Sequence, residues 1–149
     1  MGCLNDYNQE ILDIHNEKRA LHNSPPLKIN SQLNKIAEEY AKAIADKKSF
    51  LGNEYKNLFL GENIYIIKEG SFNNKIICND WYNEINKYDK RLNKYQKNAC
   101  HFTQMIWKET KEFGFGKIKK NGFCYAVALY YPPGNTIGDF ENNVFIPVN

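Results

Sequence analysis

From Cys100 to Tyr131 the apolar spacing changes once, from a three-and-four repeat to an alternating one, which limits the chain to folds that join a helix directly to a hairpin. Phe102, Met105, Ile106 and Glu109 follow helical spacing. Phe113 to Lys119 and Phe123 to Tyr131 then alternate on either side of Lys120-Asn121-Gly122. An Asn-Gly pair between two β-type runs predicts a tight hairpin, because both positions tolerate positive φ. This stretch therefore supplies an antiparallel pair and a helix to cover it.

Upstream, Asp6-x-x-Gln9 reads as a capping box. Tyr7, Ile11, Ile14, Lys18 and Leu21 hold a helical register until Asn23-Ser24-Pro25-Pro26 ends it. Leu33, Ile36, Ala37, Tyr40, Ala41 and Ile44 form the cleanest amphipathic stripe, after an Asn30-Ser31 cap. Ile77, Trp81, Ile85 and Tyr88 predict another helix. Ile64 to Ile67 reads as a further strand, and Val144 to Ile146 as an edge strand ended by Pro147. Both faces of a small antiparallel sheet are needed to bury these helical stripes, so the fold class is α+β.

With 149 residues the chain makes one domain, 1–149, in which residues 1–5 are expected to form a flexible N-terminal segment. Ten Tyr and nine Phe argue for a packed globule. The net charge of +3 is spread over interspersed Lys and Glu, which excludes the dense basic stripe of a nucleic-acid binder. No apolar run is long enough for a spanning helix, and the N-terminus lacks the layout of a signal peptide. The expectation is an intracellular protein or one whose signal was removed. Met1-Gly2-Cys3 has the residues that acylation uses, but Asp6 stands where Ser or Thr is favoured. Cys3, Cys78, Cys100 and Cys124 allow three pairings if oxidised. The pairing stays open, with Cys100 and Cys124 the two most constrained by the core.

Several of these segments together resemble the CAP superfamily of cysteine-rich secretory, antigen 5 and pathogenesis-related 1 proteins. Cys100-His101-Phe102-Thr103-Gln104-Met105-Ile106-Trp107, followed by Phe113-Gly114-Phe115-Gly116, resembles its first signature. His15-Asn16-Glu17-Lys18-Arg19, Gly61-Glu62-Asn63-Ile64, Trp81-Tyr82-Asn83-Glu84 and Tyr130-Tyr131-Pro132-Pro133-Gly134-Asn135 are similar to its other elements, in the same order. The variant it most resembles is the single-domain, Golgi-associated type. The resemblance implies a three-layer α-β-α sandwich. It also implies a cleft lined by two histidines and two glutamates, which in several members hold a divalent ion such as zinc.

Carried over, the cleft cluster and candidate metal ligands are Glu62, Glu84 and His101. The second histidine has no counterpart, and Gly52 or Asn53 stands nearest its position. His101 opens a helix, whose dipole is expected to keep the imidazole neutral and able to ligate. The alternative is a hydrogen-bonded cluster with no metal, and no cofactor is required. A metal-dependent hydrolase is the lesser expectation, since no Ser or Cys stands in a nucleophile motif. Tyr65, Ile66, Ile67 and Phe72 lie where sterol-binding relatives have an aromatic-rich loop, and are the candidate lipid-binding residues. His15 reads as a satisfied core histidine, His22 as a solvent-side residue at a helix end. The expected function is a non-enzymatic, secreted domain that binds lipid or sterol or acts on a host or receptor protein. Membrane-surface association in an intracellular setting is the alternative, with a monomer or weak homodimer as the oligomeric expectation.

Overall fold

The computed structural model describes residues 6–48 and 59–147, with side chains from Asn8 onward. The Asp6 cap, Cys3 and the Gly52/Asn53 position lie outside what is described. In chain order come α1 (Asp6–Leu21), β1 (Lys28–Ile29), α2 (Ser31–Ala45), β2 (Gly61–Lys68) and α3 (Asn74–Tyr82). After them follow α4 (Cys100–Ile106), β3 (Glu112–Lys120), β4 (Phe123–Tyr131) and α5 (Phe140–Asn143). Short 3-10 turns stand at Glu69–Ser71, Asn83–Lys87 and Lys97–Ala99.

The β3–β4 hairpin forms as its sequence predicts, with Lys120 opposite Phe123 and positive φ at Asn121 (52°) and Gly122 (82°). β2 pairs antiparallel with β4 along its whole length, from Gly61↔Tyr130 to Lys68↔Phe123. The alternation left β1 undetected, and it adds in parallel to β3 at Lys28↔Glu112 and Ile29↔Phe113. The strand order is thus β1-β3-β4-β2 in a mixed sheet, where a wholly antiparallel one was expected. Two residues are too few to carry a period of two, so this strand has no sequence signal.

Successive side chains of β4 leave on opposite faces and so define the two cores. Ala126, Ala128 and Tyr130 join Phe113, Phe115 and residues of α1, α3 and α4, whereas Val127 and Leu129 meet Leu33, Ile36, Ala37 and Ala41 of α2. The Phe-Gly-Phe-Gly run on β3 follows the same logic. Its phenylalanines enter the first core. A Cβ on Gly114 or Gly116 would stand 2.4 Å from the Leu33 backbone or 2.2 Å from Glu38 N, so glycine lets α2 lie with its backbone against the sheet. Asn30 caps α2 as expected, accepting from Gln32 N and Leu33 N at 2.9 and 3.1 Å.

Three element ends depart from the spacing. The third helix ends at Tyr82 and tightens into the 3-10 turn, which leaves Ile85 and Tyr88 beyond it. α4 stops at Ile106, so Glu109 is exposed outside it. Val144 to Ile146 form no strand, because this tail is held by other partners. Phe145 O accepts from the His22 ring at 2.7 Å, and Lys108 N donates to Asn143 O at 3.1 Å.

α1 is fastened to this framework by one cation. Arg19 has no exposed surface, and its guanidinium donates to four carbonyls: Pro25 O (2.8 Å), Met105 O (3.0 Å), Trp107 O (2.8 Å) and Thr110 O (2.9 Å). These include carbonyls at the C-terminal end of α4, which have no intrahelical donor and carry the negative end of its dipole. Burial pulls the guanidinium pKa down to about 10, which leaves it charged at neutral pH. Arg19→Met is expected to cost roughly 3 to 5 kcal/mol in urea unfolding, since each buried carbonyl left without a donor costs about 1–3 kcal/mol. A loss below about 1 kcal/mol would remove Arg19 from this role.

Candidate functional site

Glu84, on the 3-10 turn after α3, reaches the start of α4. Its Oε1 accepts from His101 N and Phe102 N at 2.9 and 3.0 Å, and its Oε2 accepts from His101 Nδ1 at 2.8 Å. Ala99, the N-cap residue of α4, has no side-chain acceptor, so Glu84 supplies the cap from a distance of 17 residues in sequence. The His101 ring stacks parallel on Trp81, with centroids 6.2 Å apart. The Trp-x-x-Glu spacing thus puts an aromatic face and a carboxylate on the same imidazole.

The His101 pKa is shifted upwards, against the direction expected from the helix dipole. The Cys100 sulfur, 3.9 Å from Nδ1, and the Glu84 carboxylate hold its pKa up at about 9 against the opposing effect of burial. A full negative charge at hydrogen-bond distance outweighs the partial charge of a short helix.

Glu62 stands apart from this pair. It lies opposite Leu129, whose side chain faces α2, and its Oε1 accepts from the Tyr40 hydroxyl at 3.0 Å. Asn63, one residue on, points to the other face and donates to His101 O (3.1 Å) and Tyr130 Oη (3.2 Å). Of the three expected cleft residues the structure joins two and leaves the third across the sheet. Strict alternation along β2 was a signal that Glu62 and Asn63 part ways. Among the described residues, no three His, Cys, Asp or Glu side chains converge as metal ligands. With Glu84 engaged by the α4 cap and by His101, and Glu62 on the opposite face, the arrangement does not bring the three expected ligands around one ion.

Behind the pair runs a buried polar chain. His15 Nδ1 donates to Ile11 O at 2.9 Å, so Nε2 accepts from the Tyr130 hydroxyl at 2.7 Å. Burial pushes the His15 pKa down to about 3, as befits a core histidine. His22 corrects the solvent-side expectation. It is buried, donating from Nδ1 to Phe145 O and accepting at Nε2 from the Tyr82 hydroxyl (2.8 Å), and burial lowers its pKa. The C-terminal tail that covers it lies 123 positions away, beyond the reach of local sequence reasoning.

Gln104, Asn63 and Asn135 are the residues that sequence reasoning passed over. Gln104 is buried, with Oε1 accepting from Gly134 N at 2.9 Å. A Cβ on Gly61 would stand 1.9 Å from that oxygen, and one on Gly134 would stand 2.6 Å from Nε2. Asn135 donates to Cys100 O at 2.9 Å and accepts from the Thr103 hydroxyl at 2.5 Å. Conspicuous glycines and amides near α4 were the available signal.

The four candidate lipid-binding residues do not line one groove. β2 is paired throughout, so Tyr65 and Ile66 leave on opposite faces. Tyr65 donates its hydroxyl to Asp80 and meets Trp81 edge-on at 6.3 Å, while Phe72 lies under the Lys117 ammonium at 3.9 Å. Ile66 is 52% exposed on the α2 side, and Ile67 is half-buried. An apolar cavity of about 230 Å³ occurs elsewhere, where α2 meets the sheet. Leu33, Ile36, Leu60 and Tyr131 line it, with Asn30, Gln32 and Glu112 on its rim.

Cys78, Cys100 and Cys124 are free thiols. His101, with help from Tyr95, draws the half-exposed Cys100 thiol below its ordinary pKa, whereas burial pushes Cys78 up to about 12. The same nitrogen of His101 faces both the sulfur and Glu84, so the three do not form the nucleophile, base and orienting group of a hydrolase, which use both ring nitrogens.

Among known proteins, the cysteine-rich secretory protein (CAP) family matches residues 12–131. Golgi-associated plant pathogenesis-related protein 1 of Homo sapiens is 35% identical over 145 residues, covering 95% of this chain and 94% of its own. Secreted protein RBT4 of Candida albicans is 34% identical over 87% of this chain and 36% of its own. The structure of Schistosoma mansoni venom allergen-like protein 4 matches with a TM-score of 0.71 at 21% identity, over 98% of this chain and 97% of its own, a likeness of fold.

Two outcomes are expected of this site. A group whose pKa is raised by folding stabilises fully below its unfolded value, near 6.5, and loses that contribution as pH rises through its folded value, here about 9. The stability gap between the wild type and Glu84→Gln is therefore largest near pH 6 and shrinks towards pH 10 in denaturant titrations. A gap that widens with pH rejects the pair. Iodoacetamide at pH 8 is expected to label Cys100 at least about tenfold faster than Cys78, by peptide mass spectrometry, because the thiolate is the reactive form. Equal rates reject the perturbed thiol.

Proposed function

Because this chain belongs to the CAP, or cysteine-rich secretory protein, family, we propose that it is a non-enzymatic binding domain. Its ligand in this reading is a lipid or sterol whose apolar part enters the cavity between α2 and the sheet. The observation that carries the non-enzymatic half is the state of Glu84. Both of its oxygens are occupied by the α4 cap and by His101, so Glu84 is not placed to act as a general base.

The binding half rests on the chemistry of the cavity wall. Leu33, Ile36, Leu60 and Tyr131 offer carbon surface, and Tyr131 is 47% exposed. An acyl chain or sterol ring covering them gains about 0.8 kcal/mol per methylene buried. Asn30, Gln32 and Glu112 on the rim suit a hydroxyl or headgroup at the entrance. The metal-dependent hydrolase is the weaker reading, because Glu62 faces α2 while His101 faces the other core. Likeness to a secreted Candida protein supports export.

Titration with a fluorescent sterol and a fluorescent fatty acid tests the proposal. Gln32→Trp, an exposed change at the cavity rim, should weaken binding by about tenfold or more, equivalent to about 1.4 kcal/mol. Glu84→Gln should leave it unchanged. Absence of binding by the wild type, or equal binding by Gln32→Trp and Tyr131→Ala, overturns it.

A further inference from the structure

On the other side of the sheet from the apolar cavity, the chain from Lys87 to Lys97 carries Lys87, Lys90, Arg91, Lys94 and Lys97 against Asp89 alone. This segment has a net charge of +4 in a chain of net +3, so the other residues together sum to −1. We infer that the groove formed by residues 85–91 and Ile146, with Lys94 and Lys97 extending the basic surface beyond it, is a docking site for an acidic peptide segment of a partner protein. The partner's carboxylates meet the lysine rim and one of its apolar side chains enters the floor.

Three observations carry this. The groove is an open depression of about 530 Å³, lined by the half-buried Ile85, Tyr88 and Ile146 and the exposed Lys87, Lys90 and Arg91, with Asp89 among them. The floor is anchored, since these apolar side chains pack against the main core and the Tyr88 ring lies 5.9 Å from that of Phe102. The rim is pre-organised. The Gln96 side chain accepts from Asp89 N and donates to Asp89 O, both at 2.8 Å, which closes the loop as a strand partner would. Asp89 in turn holds Arg91 through two bonds, at 3.0 and 2.9 Å. Among the described residues Lys87, Lys90, Lys94 and Lys97 form no ion pair, and all four are exposed. A loop already ordered loses little entropy on binding.

The combination selects the occupant. A polyanion of uniform charge would use the rim and ignore an apolar floor. Leu92 and Tyr95, each 49% exposed, project beside the groove, but a flat membrane surface would leave the half-buried Ile85, Tyr88 and Ile146 of its floor unused. An extended peptide with alternating acidic and apolar residues uses both features, through charge complementarity that steers association and an apolar anchor that slows dissociation. This site shares no residue with the lipid cavity, and either proposal survives the failure of the other.

Fluorescence anisotropy with a labelled decapeptide of glutamates around one central leucine tests it on the wild-type chain at low salt. Saturable binding is expected, weakened at least about tenfold by Lys87→Glu with Lys90→Glu, and several-fold when the peptide's leucine is replaced by serine. The double variant changes only exposed side chains, and its thermal unfolding should match the wild type. The peptide substitution gives an answer on the unaltered protein in any case. Absence of saturable binding overturns the proposal, as does equal affinity for the serine peptide. Tighter binding of the wild type to phosphatidylserine vesicles or to heparin, lost in the double variant, would make the surface a lipid or glycan site and overturn it too.

Discussion

The buried guanidinium of Arg19 is the interaction on which the rest of this structure depends. It brings the last turn of α1 to the end of α4 and to the segment entering β3, and it does so without a carboxylate among its described partners. Four carbonyl dipoles, converging from separate turns of chain, take the place of a counterion. Such a cation demands that every one of those turns be correctly formed at once, because a donor left unpaired in the interior is costly. Ser24 adds a bond to Ile106 O at 2.6 Å, between two of the carbonyls that Arg19 uses. The α1 layer is thereby held in one place, and with it the His15–Tyr130–Asn63 chain that crosses the first core.

The most distinctive sequence elements prove to be interlocking parts. Glu84 caps α4. Gln104 of α4 occupies the space left by Gly61 and Gly134, and Asn135 joins Thr103 to Cys100 O. A spacing that suggests catalytic chemistry therefore serves to fit helices to a sheet. Fold and chemistry are separable in this way because function resides in local sites carried by a scaffold. Here the scaffold leaves two unrelated surfaces, an apolar cavity under α2 and a basic groove beside the tail.

The histidines divide the titration of the molecule. His15 and His22 are buried and held below the ordinary imidazole range, so their contribution is present above about pH 6.5 and fades as the pH falls. His101 is held above that range by Cys100 and Glu84, so its contribution fades as the pH rises. One residue type has opposite effects, because two rings are desolvated by burial, His15 with the Arg19 cation nearby as well, and one sits between a sulfur and a carboxylate.

Periodicity made much of this protein legible in advance. The α2 stripe, its Asn30 cap, the Asn121-Gly122 hairpin and the α+β layering all follow from repeats of a few residues, which local geometry imposes on any chain. The pairing of Glu84 with His101 was also within reach, as two members of one expected cluster. Tertiary structure alone decided that Glu62 faces α2, that two residues at Lys28–Ile29 extend the sheet, and that the tail buries His22. It also decided that Cys100 and Glu84 hold the His101 pKa above the ordinary imidazole range. Those outcomes depend on which groups meet across 17 to 123 positions of chain, and both the charge of a side chain and its burial are properties of its neighbours in space.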